Sequence, residues 1–144
     1  MLFKCSIPLD HHAIKKNSRQ IFRGTHGQPF IGKSNQLTVA EKILVQRLTI
    51  ARLQNRLIEP IAQDVQVTFR FYFKNYYIKP KRKTDAPRRS QKLGDLSNLY
   101  QLPEDCLVQA GVLLDDAQIQ SHDGSRILPG SENRLDIEIK AMAE

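Results

Sequence analysis

Val65-Gln-Val-Thr-Phe-Arg-Phe-Tyr-Phe73 carries an apolar side chain at every odd position, with Gln66, Thr68, Arg70 and Tyr72 between them. Successive side chains on a strand point to opposite faces, so this stretch predicts a strand with one wholly apolar face, at or near the centre of a sheet. The same alternation recurs toward both ends of the chain. Phe3, Cys5 and Ile7 alternate with Lys4 and Ser6 ahead of Pro8, and Leu135, Ile137 and Ile139 alternate with Asp136, Glu138 and Lys140. Both read as half-buried strands.

Residues 19 to 31 hold two short apolar pieces around Gly24-Thr-His-Gly27, which predicts a hairpin whose second arm, with Pro29, belongs at an edge. His26 reads as a solvated turn residue. Thr38 and Glu41 form a capping box ahead of Leu44, Leu48 and Ala51, with Arg47, Arg52 and Arg56 elsewhere on the cylinder. A helix from about 39 to 58 follows, stopping before Pro60. From Asp95 a second helical arc runs through Leu96, Leu99, Leu102, Cys106, Leu107 and Ala110, with Gly111 as its stop. Pro103 inside that run predicts a kink, or a restart with Pro103 at the first position. A further strand is expected around Ile119 to Ile127. The order predicts an α+β fold, one mixed sheet with helices packed on it, in a single domain over 1–144.

The chain has 144 residues, 40% hydrophobic and 26% charged, which excludes intrinsic disorder and collagen-like repeats and is enough for a sizeable core. No apolar run approaches the roughly 20 residues that span a bilayer. The first residues meet Asp10, His11 and His12 before a signal-like apolar segment can form, so a cytoplasmic protein is expected. Cys5 and Cys106 have no metal-ligand spacing and read as buried thiols.

The net charge is +7, and nearly all of it sits in one place. Lys79-Pro-Lys-Arg-Lys-Thr-Asp-Ala-Pro-Arg-Arg-Ser-Gln-Lys92 has seven basic residues and one acid. A basic stretch bounded by prolines, with no apolar period, reads as a solvated loop whose potential attracts a polyanion such as nucleic acid. A solubilising loop or a localisation signal has the same composition. Tyr76 and Tyr77, just before it, fit base stacking or simple packing at a sheet end.

Acids follow the loop: Gly94-Asp-Leu-Ser-Asn98, then Gly111-Val-Leu-Leu-Asp-Asp-Ala-Gln118. Asp95 reads either as a helix cap or as a site carboxylate. Asp115 and Asp116 are adjacent, an unfavourable pairing unless solvated or met by a cation. Mg²⁺ takes carboxylate oxygens and water, and phosphodiester hydrolysis uses such a metal to generate hydroxide and offset charge on the leaving oxygen. On a continuous helix Asn98, Gln101 and Asp105 share a face, while Glu104 points elsewhere. His11, His12 and His122 are bare candidates; His122-Asp-Gly124 reads as a turn, with Asp123 structural.

At these residues the chain resembles the RusA-type Holliday junction resolvases, small dimeric magnesium-dependent endonucleases of bacteria and their phages. That family's signature is a basic run leading into Asp-x-Asp-Asn, a Lys soon after, and a Gly-x-x-x-Asp-Asp-x-Gln block. The matching positions are Asp95-Leu-Ser-Asn98, Gln101, Asp105-Cys-Leu107 and Gly111 to Gln118. Lys16-Asn-Ser-Arg19 and the last alternating strand fit the layout less specifically. Ser97 stands where the family has its second Asp, and Gln101 where it has its Lys. A hydroxyl orients water but is a poorer Mg²⁺ ligand than a carboxylate.

The resemblance implies a structure-selective endonuclease that nicks four-way junctions or related branched DNA. Asp95 and Asp116 would bind Mg²⁺, or Mn²⁺ in its place, with Asp115 or Asp105 completing the shell and compensating for Ser97. Ser97 and Asn98 would position water or carboxylates. Lys79, Lys81, Arg82, Lys83, Arg88, Arg89 and Lys92 would track the DNA backbone. A junction is cut on two strands, so a homodimer is the expected geometry, with no membrane association. Two other readings stand beside it: a junction-binding protein that lost turnover with Ser97 and Gln101, and an RNA-binding module using Tyr76, Tyr77 and the loop.

Overall fold

The computed structural model describes residues 1–9, 19–23, 27, 29–33, 35–78 and 81–142. His11, His12, His26, Lys79, most of Lys16-Asn-Ser-Arg19 and the Lys92 side chain, all singled out above, lie outside the described set.

The alternating stretch is β4 (Val65–Phe73), and it is central. On one side it pairs antiparallel with β9 (Arg134–Ala141), which in turn pairs antiparallel with the edge strand β1 (Phe3–Pro8). The registers Phe3–Ile139–Val67, Cys5–Ile137–Phe69 and Ile7–Leu135–Phe71 line one face with apolar rows, which is why three separate period-2 stretches form one sheet. The opposite face is polar, with Arg70 on Glu138 at 3.2 Å, Arg134 on Asp136 at 3.2 Å and the Arg134 guanidinium 4.2 Å over the Tyr72 ring.

On its other side β4 pairs in parallel with two short strands, β7 (Ile119–Ser121) and β8 (Arg126–Pro129), where the sequence suggested one. The break has a physical reason. Between the two ladders, the turn at 122–125 supplies partners for the β4 backbone and Thr68: His122 Nδ1 donates to the Val67 carbonyl (2.9 Å), Thr68 Oγ1 to the Asp123 carbonyl (2.8 Å), and the Phe69 N–H to Ser125 Oγ (2.9 Å). The expected turn is present, and Asp123 has its structural role through its backbone. The result is an α+β fold with a mixed sheet, as the sequence predicted. The hairpin of β2 (Arg19–Arg23) and β3 (Pro29–Lys33) is antiparallel and forms a separate two-stranded sheet.

Helix α1 spans Asn35–Gln54, starting earlier and stopping earlier than the capping-box reading placed it. Thr38 and Glu41 therefore lie inside the helix, and the added first turn brings Leu37 into the core with Leu44, Leu48 and Ala51. Pro60 does not set the end. Arg56 turns left-handed (φ 54°), the Leu57 and Arg56 N–H groups close back on the Arg52 and Leu53 carbonyls, and the Arg52 guanidinium takes the Leu57 and Ile58 carbonyls at 3.0 and 2.5 Å.

The second helical run is divided at Tyr100 rather than at Pro103. A 3₁₀ turn, Leu96–Leu99, precedes α2 (Gln101–Gln109), and Pro103 sits in the first turn of α2, where its missing N–H removes no bond. Gly111 ends α2 as expected: its φ is 76°, and an added Cβ would come within 2.5 Å of Arg52 Nη1.

The basic segment is not a loop throughout. Its later part pairs with the residues just before it in a small antiparallel ribbon, β5 (Tyr77–Ile78) with β6 (Arg88–Arg89), extended by Ser90 N–H on the Tyr76 carbonyl at 2.7 Å. Cys106 is fully buried and Cys5 half-buried, neither in a disulfide; burial first, then Asp136, pushes Cys5 up to about 12. Among the described residues no helix is long and apolar enough to cross a membrane.

Candidate active site

After α2 closes on Gly111, Val112 and Leu113 are buried, and the Ile61 N–H bonds the Val112 carbonyl at 2.9 Å. That anchor turns Leu114, Asp115 and Asp116 out to solvent. The Asp115 carboxylate accepts the Ala117 N–H at 3.1 Å and caps a 3₁₀ turn, Asp116–Gln118. Gln118 completes a capping box: its Oε1 accepts the N–H groups of Leu114 and Asp115 at 2.8 and 2.9 Å, and its Nε2 donates to the Ile61 and Gln63 carbonyls at 2.7 and 2.9 Å. The Gly-x-x-x-Asp-Asp-x-Gln spacing thus has a mechanical meaning. Glycine ends the helix, the first Asp caps, Gln pegs the turn to the strand-entry loop, and the second Asp is presented outward.

The two carboxyl groups titrate apart. The Ala117 N–H and a hydrogen bond with Asp116 hold Asp115 below the usual carboxylate range. Asp116 is pushed up, chiefly by its hydrogen bond with Asp115, then by desolvation and by the negative charges of Asp115, Glu104 and Asp105. Glu104 therefore belongs to the acidic surroundings of Asp116, against the helical-face reading that sent it elsewhere. The common face of Asn98, Gln101 and Asp105 also fails as drawn, because the helix is interrupted at Tyr100; all three are half-buried.

Sequence reading gave His122 no function. Its Nε2 lies 2.6 Å from Glu104 Oε1, its Nδ1 bonds the Val67 carbonyl, and its ring stacks on Tyr100 (4.2 Å, 23°) and Phe69 (5.4 Å, 28°). A carbonyl only accepts, so Nδ1 carries a proton and Nε2 is the atom that faces the carboxylate. Burial pushes Tyr100 up, opposed by its hydrogen bond with Ser125 and assisted by the Glu104 charge. No spacing signal in the sequence links residues 104 and 122.

Asp95 stands at the start of the Leu96–Leu99 turn, exposed, and its side chain makes no capping bond, so the structural alternative considered above does not hold. It is not among the charges that bear on Asp116. Ser97 is exposed within that turn. The turn is tied to the basic arm: Arg89 Nη2 donates to the Gly94 carbonyl at 2.5 Å. Arg89 is thus a brace for the Asp95 turn. Lys81, Arg82, Lys83 and Arg88 are exposed along the arm, and Tyr77 is 55% exposed, edge-on to the half-buried Tyr76 at 4.8 Å.

Among the described residues no group of three or more His, Cys, Asp or Glu side chains is set to hold a metal between them. The donor set still fits a hard cation, since Mg²⁺ is commonly held by one or two carboxylates, with water and substrate phosphate oxygens completing the shell. Crowded carboxylates that raise the pKa of Asp116 are the electrostatic surroundings a cation relieves.

Outward-facing carboxylates stand on two 3₁₀ turns beside a mixed sheet, and a positively charged arm is braced to one of those turns, an arrangement compatible with a polyanionic substrate. The family model described as Endodeoxyribonuclease RusA matches residues 16–140, and the chain belongs to that family. It is accordingly an endodeoxyribonuclease of the Holliday junction resolvase type, a DNA-hydrolysing enzyme of a divalent-metal-dependent family that acts on branched DNA. No curated protein matches the chain.

Proposed function

We propose that this resolvase nicks four-way junctions in a Mg²⁺-dependent reaction, or with Mn²⁺ in its place, acting as a homodimer in the cytoplasm with one site per subunit. The observation that carries the reading is the division of labour in the Asp115-Asp116 pair, where one carboxylate is committed to a cap and the other is held outward among further acids.

Asp116 and Asp95 are the proposed metal ligands, with Asp105 completing the shell in place of the carboxylate that Ser97 lacks. Asp115 acts by holding Asp116 in place. A bound divalent cation lowers the pKa of water and offsets charge at the leaving oxygen. The chain's own residues do the rest. Ser97 and Asn98 orient water and the ligating carboxylates, His122 fixes Glu104 so that its charge bears on Asp116, and Lys81, Arg82, Lys83 and Arg88, with Lys79 and Lys92, bind backbone phosphates without reading sequence.

The test is a labelled four-way junction incubated with the protein and Mg²⁺, with EDTA and Asp116→Asn controls, scored on a denaturing gel. Paired, metal-dependent nicks lost in Asp116→Asn are expected. A junction shifted on a native gel but never cut would sink the proposal.

A further inference from the structure

Tyr77 and Ile78 form the first strand of the ribbon at the base of the basic arm, and both side chains are open to solvent, at 55 and 46%. Phosphates give such groups nothing. A nucleic-acid backbone is gripped by cations, and Lys81, Arg82, Lys83 and Arg88 on the same arm supply them. An aromatic ring set among those cations gains instead from a flat apolar partner, and on a nucleic acid that partner is the face of a base.

The register fixes the side on which the ring lies. Residues paired across an antiparallel ribbon project from the same face, so Tyr77 shares a face with Arg89, and Ile78 shares the other with Arg88. From that first face Arg89 reaches the Gly94 carbonyl at 2.5 Å, beside Asp95. Tyr77 therefore stands on the side of the ribbon turned toward the Asp95 turn. Its ring is also held: the half-buried Tyr76 meets it at 79° with centroids 4.8 Å apart, and the Ser90 N–H ties the Tyr76 carbonyl to the opposite strand. A ring steadied before the substrate arrives loses little freedom on stacking.

We propose that Tyr77 is the residue with which this enzyme recognises a branch, by stacking on a nucleobase at the centre of the junction, on the side of the arm that faces Asp95. The proposal rests on the resolvase reading above and deepens it by naming what the arm binds besides phosphate. In a continuous duplex both faces of every base are covered by its neighbours, and the ring finds no place. Where strands exchange, the stack is interrupted and a base is unstacked at least cost. Stacking tolerates any base, because each has a π face, whereas phosphates are alike on duplex and junction. The cations thus hold DNA of any form, and Tyr77 distinguishes branched from continuous.

The chain has no tryptophan, so Tyr77→Trp places a single indole at the site. Its emission is followed in EDTA, which leaves DNA uncut, against a four-way junction, a linear duplex and single-stranded RNA. Junction and duplex binding of Tyr77→Ala and Tyr77→Phe is measured across a salt series, with circular dichroism to verify folding. An indole quenched by the junction and not by the duplex is expected. Tyr77→Ala should lose roughly 5- to 100-fold in junction affinity, the range of one base–aromatic stack, with duplex affinity and the salt slope unchanged. Tyr77→Phe should bind as the wild type does. Quenching by the duplex as strong as by the junction, or a Tyr77→Ala variant that keeps its junction affinity, overturns the stack, and paired nicks by the wild type then leave the resolvase reading intact. Quenching by RNA at lower concentration than by the junction overturns the stack in favour of single-strand recognition. A wild type that never nicks the junction, with the Tyr77 effects present, upholds the stack and overturns the cleavage reading.

Discussion

Glu104 Oε1 and His122 Nε2 meet at 2.6 Å, joining α2 to the turn that interrupts the parallel ladders on β4. The contact is half-buried at both ends, and the same imidazole closes a gap in the central strand's hydrogen bonding. One side chain thus couples the integrity of the sheet to the charge near Asp116.

Replacing His122 by Ala leaves the Val67 carbonyl and Glu104 without this partner and removes the stacking on Tyr100. Loss of about 2 kcal/mol of stability is expected, from unsatisfied half-buried polar groups and lost ring contacts. Urea unfolding with an unchanged m-value checks it, and a shift below about 0.5 kcal/mol would mean that water replaces the imidazole.

Asp115 and Asp116 are predicted to respond oppositely to serine. Asp115→Ser keeps a good capping group and should keep most nicking activity, whereas Asp116→Ser should abolish it. Gln118→Ala, which frees two N–H groups and two carbonyls, should cost about 1–3 kcal/mol of stability and lower activity as well. Equal activity loss in the two serine variants would make Asp115 a ligand rather than a cap.

Asp116→Asn should raise the melting midpoint in EDTA at neutral pH while removing activity. The sign follows from the raised carboxyl: the folded state holds the Asp116 proton more tightly than the unfolded one, so its ionisation weakens the fold as pH rises through that raised value. Asp115 acts the other way, its contribution present at neutral pH and lost as pH falls through its lowered value. The advantage of Asp116→Asn should therefore shrink as pH falls through the raised pKa of Asp116 and be gone once the pH is below the ordinary carboxylate value, and Mg²⁺ should stabilise the wild type alone. An unchanged or lower midpoint across this range would contradict the crowding of like charges.

The arm and its brace should separate in a salt titration of junction binding. Replacing Lys81, Arg82 and Lys83 together by Ala should lower the slope of log K against log salt by roughly 2–3, with stability unaltered, since each phosphate contact contributes about 0.9. Arg89→Ala should reduce cleavage more than binding, because its guanidinium holds the carbonyl next to Asp95. A triple variant that binds as the wild type does would dismiss the arm as the DNA contact.

The strands at both ends and at the centre were legible because a period-2 pattern is local and each register row is apolar throughout. Helix ends were not. The start of α1 depended on whether Leu37 could reach the core, and the break at Tyr100 on packing against Phe69 and His122. In the site, the adjacent acids and Asp95 were visible as residues, yet the cap role of Asp115 needed Gln118 to reach carbonyls 55 and 57 positions away. Glu104 was misplaced for the same reason, its partner being 18 residues distant in a turn without a motif.

By itself the sequence determined what depends on neighbours along the chain: the alternation that makes β1, β4 and β9, the concentration of positive charge before Asp95, and the glycine that stops α2. Tertiary structure alone decided which carboxylate is committed and which is presented, and that Arg89 braces rather than only binds. Periodicity is written in consecutive residues, but hydrogen-bond partners and buried faces are chosen by elements far apart in the chain, whose mutual packing no local pattern encodes.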